Sequence, residues 1–172
     1  MPSPHTIWHW QEAGTAWKGV GIYHVTLTIP SRQPLLGTLV IPDNAPAKAI
    51  IDESPLAKDV VKCLLHIYEY HPEVQVLRFC VMPDHLHAIL HVRQTMPVGI
   101  KTVVRGFWQA AKKIGRAYSS ANCLFIAPNT IRDNTSSSPN PIFTEMPFIR
   151  PLSRRGQLQT MMHYVKMNPQ RL

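Results

Sequence analysis

The stretch Val81-Met82-Pro83-Asp84-His85-Leu86-His87-Ala88-Ile89-Leu90 constrains the fold more than any other part of the chain. An apolar run reaches a Pro-Asp pair, turns, and continues as a second apolar run carrying two histidines two residues apart. Residues i and i+2 of an extended chain project to one face. His85 and His87 therefore point together and could bind one metal ion, while Leu86, Ala88 and Leu90 pack the opposite face. The upstream segment from Val74 to Met82 is apolar on both faces, the pattern of a central strand. Such a strand could also carry surface histidines that bind nothing, so the rest of the chain has to decide.

Val20 to Pro30 is rich in β-branched and aromatic residues and ends at proline, which predicts a strand. A turn through Ser31 to Pro34 leads to a short strand over Leu36 to Ile41, and the two are expected to form a hairpin. Ser54-Pro55 offers a capping hydroxyl followed by proline at the first helical position. Val60, Val61, Leu64, Leu65, Ile67 and Tyr68 then recur at helical spacing, predicting a helix over 55–70 that ends before His71-Pro72. A second helix over 98–118 puts Ile100, Val103, Val104, Phe107, Trp108, Ala111 and Ile114 on one stripe. Residues 119–142 are polar and proline-rich, which predicts a flexible loop. Beyond Phe143-Thr144-Glu145 and Phe148-Ile149-Arg150, a last helix is expected from Arg154 to Asn168, burying Leu158, Met161, Met162 and Val165. Trp8, Trp10 and Trp17 are expected to pack over the sheet in preference to stacking on bases. Hairpins separated by amphipathic helices imply an α+β fold, a mainly antiparallel sheet with helices packed on it.

At 172 residues the chain is long enough to bury a core as one domain spanning 1–172. It holds no run of about 18 apolar residues, so no membrane partner is expected. Met1-Pro2-Ser3-Pro4-His5 lacks the basic and apolar regions of a signal peptide. Three widely spaced cysteines, Cys63, Cys80 and Cys123, form neither a disulfide framework nor a zinc knuckle, and suit a cytoplasmic protein. Eighteen Lys and Arg against ten Asp and Glu leave a net charge of +8, which favours polyanionic partners, nucleic acid first. Lys101, Arg105, Lys112 and Arg116 fall within about 60° of one another on a helical wheel. They would form a basic ridge beside the histidine strand, suited to a phosphate backbone, although a merely solvated face has the same pattern.

Near the C-terminus, Tyr164 and Asn168 are four residues apart and so neighbours on one helical face. They lie at the edge of the apolar stripe, from where both could reach the sheet. His91 shares the face of His87 but stands about 13 Å further along the strand, too far to bind the same ion. His24 on the first strand could neighbour the site or be a hydrogen-bonded core histidine. A histidine-triad nucleotide hydrolase is excluded, because it would need a third histidine where Ile89 stands.

Met82-Pro83-Asp84-His85-Leu86-His87 resembles the HUH signature of single-tyrosine transposases, and Tyr164-Val165-Lys166-Met167-Asn168-Pro169 resembles their C-terminal Tyr-x-x-x-Asn-Pro element. The likeness is nearest to the REP-associated tyrosine transposases and their insertion-sequence relatives. It extends to Phe143-Thr144-Glu145 and Ile149-Arg150, and runs from about Tyr23 to Arg171. The loop at 119–142 looks like an insertion relative to compact members. The resemblance implies the HUH nuclease fold: a ferredoxin-like or RRM-like antiparallel sheet with helices packed on one face. It also implies Tyr164 as nucleophile, a 5′-phosphotyrosine intermediate and a free 3′-hydroxyl, with single-stranded or hairpin DNA as the partner. The family includes monomers and dimers, so Tyr164 could serve its own histidines or those of a homodimer partner.

The chemistry explains why these residue types belong together. The charge on a phosphodiester repels nucleophiles, and a divalent ion on His85 and His87 would neutralise it. Asn168 could supply an oxygen as third ligand. Imidazole with an amide oxygen suits Mg²⁺ or Mn²⁺, the latter tolerating nitrogen better, whereas two histidines are too few for a closed zinc site. Phosphotyrosine keeps the energy of the broken bond, so another 3′-hydroxyl can reseal the strand. The rival reading is a domesticated DNA- or RNA-binding protein that keeps the scaffold without catalysis.

Overall fold

A computed structural model describes residue 17 and residues 20–123, 141–154 and 156–171. The central sheet comprises β1 (Gly21–Thr28), β4 (Val74–Val81), β5 (His85–Val92) and β6 (Phe148–Pro151), in the order β4-β5-β1-β6, with every pairing antiparallel. The hairpin expected around Pro83-Asp84 is present, joining β4 to β5. β2 (Gly37–Val40) and β3 (Ile50–Glu53) pair with each other in a separate two-stranded sheet. The expected hairpin between the first two strands is therefore not formed. β1 is interior, with β5 on one edge and β6 on the other, so no edge remains for the strand that follows it in sequence.

Alternation along β1 and β5 builds two cores. Tyr23, Val25 and Leu27 join Leu86, Ala88, Leu90 and Val92 on one face, where α1 (Pro55–Leu65) and α3 (Ile100–Cys123) cover them. Leu56, Val60 and Leu64 of α1 and Ile100, Val103, Val104 and Phe107 of α3 are buried there. The expected cap is made: the Ala57 N–H donates to Ser54 Oγ at 3.1 Å. The helix breaks at His66, and α2 (Ile67–Tyr70) continues it to β4.

The opposite face is covered as well. Ile22, Ile89 and Leu152 pack there against Val165 of α4 (Gln157–Met167), with Leu158, Met161, Met162 and Tyr164 around them. Helices α1 and α3 thus share one face, while the terminal helix takes the other because Ile22 and Ile89 make it apolar at mid-sheet. Burying a side chain of this size is worth about 1.5–3 kcal/mol.

Residues 119–123 of the expected flexible loop are helical instead, since α3 runs to Cys123, with Ser120 Oγ donating to the Arg116 carbonyl at 2.9 Å. The remainder of that loop up to 140 lies outside the described residues. The chain re-enters at Phe143, which is fully buried. A Cβ on Gly115 would stand 3.3 Å from its ring and 3.2 Å from Ile142, so glycine lets this segment approach α3 closely. Trp17 stacks on Tyr23 with ring centroids 5.6 Å apart, the packing role expected of it. Trp8 and Trp10 lie outside the described residues.

Candidate active site

The turn that presents the histidines is held by backbone from a distant segment. Ile29 N–H donates to the Asp84 carbonyl at 2.9 Å and Leu36 N–H to the Pro83 carbonyl at 2.8 Å, while Met82 N–H closes the turn on the His85 carbonyl at 2.8 Å. From this fixed start, β5 pairs His85 with Thr28 and His87 with Thr26 on β1. The shared face of His85 and His87 is the one that α4 covers, as the period of two requires.

The two Nε2 atoms face each other at 3.0 Å. Their Nδ1 atoms are tied back in opposite directions. The Asp84 carboxylate holds His85 Nδ1 and is itself bridged by Arg32 at 3.2 Å. His87 Nδ1 lies 3.1 Å from Thr26 Oγ1 and 3.0 Å from His24 Nε2. Burial would raise the Asp84 carboxyl, but its hydrogen bonds and charge interactions with His85 and Arg32 hold it below the ordinary value. Burial, with the neighbouring His85, His24 and Arg32, pushes His87 down to about 3. His24 is lowered by burial and by Arg150, its partner across the β1–β6 pairing. An imidazole kept neutral in this way retains the lone pair a metal needs.

Tyr164 arrives from α4. Its ring stands 5.5 Å from that of His87, centroid to centroid, at an interplanar angle of 68°. Asn168 follows one turn later, where α4 tightens into a 3-10 turn over Asn168–Arg171. It is 7% exposed, and its side-chain Nδ2 is buried with no hydrogen-bond partner among the described residues. An orphaned polar group of this kind costs about 1–3 kcal/mol unless something else satisfies it.

These donors fit a hard divalent cation. Ligand atoms at right angles around an ion bound at about 2.1 Å lie about 3.0 Å apart, the separation of the two Nε2 atoms. A carboxylate, which stands behind the His85 imidazole, is a support metal-binding histidines use, and a hydroxyl stands behind that of His87. Among the described residues no three His, Cys, Asp or Glu side chains are grouped to hold a metal. Further donors would have to be of another type, such as the amide of Asn168 and the oxygens of a phosphate. Cys80 sits opposite His87 on β4, and burial, with Glu53 nearby, pushes its thiol up to about 11, too high for a thiolate ligand at neutral pH.

The expected basic ridge is not beside the histidines. Lys101, Arg105, Lys112 and Arg116 belong to α3, which packs on the face of Leu86, Ala88 and Leu90, so the whole sheet separates them from His85 and His87. Wheel geometry places them together on one helix but carries no information about which face of the sheet that helix covers. Lys112 Nζ lies 3.7 Å from the ring centroid of Trp108 on the same helix, and Lys101 Nζ 4.3 Å from that of Trp17.

Sequence reasoning does not assign His24, Thr26 or Arg32 to the site, and it identifies Asp84 only as a turn residue. The available signal is the period of β1, which puts His24, Thr26 and Thr28 on one face. It becomes informative only once β5 is known to be the neighbouring strand.

No family model matches the chain, and no curated protein matches it. Among solved structures it is similar to a REP-associated tyrosine transposase bound to a REP hairpin, with 13% identity and a TM-score of 0.55 over 92% of this chain and 72% of that one. A candidate transposase from Deinococcus radiodurans R1 is 16% identical over 89% of this chain and 95% of its own, and its TM-score of 0.46 is too low to carry an argument. At such identities the likeness is one of fold. The mixed architecture, a four-stranded antiparallel sheet with packed helices, is the one that the transposase shares. Among the described residues no helix is long and apolar enough to cross a membrane.

Proposed function

We propose that this chain is a metal-dependent single-strand DNA endonuclease and strand transferase, working through a 5′-phosphotyrosine on hairpin-containing DNA. The observation that carries the reading is the approach of the Tyr164 and His87 rings, 5.5 Å apart although the residues are 77 positions apart in sequence. The buried, orphaned amide of Asn168 one helical turn after Tyr164, the net charge of +8 and the fold shared with a transposase solved on a hairpin support the same reading.

In this mechanism His85 and His87, with Asn168, would hold a Mg²⁺ or Mn²⁺, which when bound supplies positive charge to the scissile phosphate. Asp84 and Arg32 keep His85 turned so that its Nε2 faces the reaction centre. The Tyr164 proton departs as its oxygen attacks phosphorus. The new bond is Tyr164 Oη to phosphorus, the bond broken is phosphorus to the 3′-oxygen, and that oxygen leaves as a hydroxyl after taking up a proton. Attack by another 3′-hydroxyl on the phosphotyrosine runs the same exchange backwards and reseals the strand without ATP.

The test is incubation of labelled single-stranded DNA containing a hairpin with the protein and Mn²⁺, followed by denaturing electrophoresis. A covalent protein–DNA adduct that disappears in Tyr164→Phe supports the enzyme. Binding without any adduct across several DNA sequences replaces it with a catalytically silent nucleic-acid-binding protein on the same scaffold.

A further inference from the structure

Behind the histidine pair stands a second polar layer to which the reaction above gives no role. His24 is 8% exposed, lies on β1 diagonal to His87, and directs its Nε2 at His87 Nδ1 over 3.0 Å; Thr26, directly opposite His87 in the register, brings its hydroxyl to the same nitrogen at 3.1 Å. The His24 and His87 rings are 4.9 Å apart with an interplanar angle of 32°. A mid-sheet position usually carries an apolar residue, and a buried imidazole without a partner costs free energy. Burial of His24 is compatible with stability because its ring is hydrogen-bonded to another ring.

We propose that His24 and Thr26 are positioning residues that hold the Nδ1 edge of His87, so that its Nε2 stays turned toward His85 Nε2 and is free to bind a cation. The inference rests on the metal-dependent reading of the site and adds to it the residues that make the pair competent. Its chemical logic is a matter of proton placement. For both Nε2 atoms to offer lone pairs, each ring must carry its proton on Nδ1. For His85 the acceptor of that proton is the Asp84 carboxylate. For His87, buried at 6% exposure, water is not a ready alternative. Among the described residues, His24 Nε2 and Thr26 Oγ1 are the acceptors within reach. Without them the His87 proton is driven to Nε2, where it would point at the cation. Arg32, Asp84, His85, His87 and His24 thus form one connected chain across the turn, β5 and β1, with the two Nε2 atoms at its centre.

The test measures Mn²⁺ binding through the free-ion paramagnetic resonance signal in wild type, His24→Phe, His24→Gln and Thr26→Val, with thermal melts to confirm folding. His24→Phe keeps a ring but removes the acceptor, and is expected to weaken Mn²⁺ binding about 10–100-fold. His24→Gln returns an acceptor to the same reach and is expected to recover most of the affinity, which a purely packing role would not predict. If His24→Phe does not fold, the near-isosteric Thr26→Val takes its place with a smaller decrease. Equal affinity in all variants overturns the proposal. Should wild type bind no Mn²⁺, the metal reading of the site fails by itself. The positioning claim is then decided in the metal-free protein by nitrogen–nitrogen scalar coupling between His24 Nε2 and His87 Nδ1: its presence sustains the hydrogen bond, and its absence overturns it.

Discussion

Tyr164 and His87 of the same chain meet edge to face, their ring centroids 5.5 Å apart, because α4 packs on the sheet face from which the histidine projects. In the proposed reaction, nucleophile and metal pair are thus supplied in cis. Mixing Tyr164→Phe with His85→Ala should therefore not restore adduct formation. Recovery of more than a trace of adduct in the mixture, measured on denaturing gels, would mean that a second subunit completes the site.

The link between Asp84 and His85 leads to a second expectation. Asp84 is held by Arg32 and takes the His85 Nδ1 edge. Asp84→Asn keeps the shape but weakens the acceptor, and should lower Mn²⁺ affinity about 10–100-fold. His85→Ala should abolish cleavage altogether. Neither change should alter the salt dependence of DNA binding, which reports the pairing of Lys and Arg with phosphates. Filter binding over a range of salt concentrations separates the two effects.

Much of the site is legible in the sequence because its two halves are each encoded locally. His85 and His87 are paired by strand period, and Tyr164 and Asn168 by helical period, so each pair is visible without tertiary structure. The expected strand, helix and cap positions around Ser54 and Pro83-Asp84 follow from the same short-range rules. What requires tertiary structure is every question of which element lies beside which. β1 is interior and pairs with β5 and β6, distant in sequence, so a nearest-neighbour hairpin with the segment after Pro34 is the wrong partner. The same missing register hides His24 and Thr26. It also leaves the face covered by α3 undetermined, so helical period alone does not show that the sheet separates the basic ridge from the histidines.

That placement makes a prediction of its own. Lys101, Arg105 and Arg116 are exposed on α3, on the far side of the sheet from the histidines. DNA reaching them has to extend well beyond the scissile phosphate. The triple change to Gln should leave adduct formation on a short single strand unaltered. With a long hairpin substrate it should lower affinity and reduce the slope of log K against log salt by about 0.7–0.9 for each phosphate no longer neutralised. An equal decrease on short and long substrates would place DNA across α3 at the reaction centre.

The pH dependence of stability follows from His87. Its folded value, about 3, lies below the value of about 6.5 for a free imidazole. Between these limits the unfolded chain binds more protons than the folded one, so stability rises with pH across the window. The contribution is complete above about 6.5 and fades as the solution is acidified toward 3. Without added metal, the melting temperature should fall between pH 7 and pH 4. His87→Gln, which cannot titrate there, should flatten that fall in a series of melts. An identical slope in the variant would assign the acid lability to other groups.

Two buried residues separate the integrity of the fold from the geometry of the site. Leu86 lies between His85 and His87 in sequence, yet points to the opposite face, where it is fully buried against α1 and α3. Leu86→Ala should cost about 2–5 kcal/mol, as large-to-small changes in a packed core do. At temperatures where it stays folded, the imidazoles remain in register and adduct formation should persist. Val165 is also fully buried, but in the smaller cluster that seats α4 beside Ile22, Ile89 and Leu152. Val165→Ala removes less apolar surface and should cost only about 0.5–3 kcal/mol, yet it loosens the helix that carries Tyr164. It should therefore lower the rate of adduct formation more than Leu86→Ala does, despite the smaller change in stability. Denaturant melts and single-turnover adduct assays on the two variants test the ordering. A rate decrease that simply tracked stability would mean that α4 does not set the position of the nucleophile.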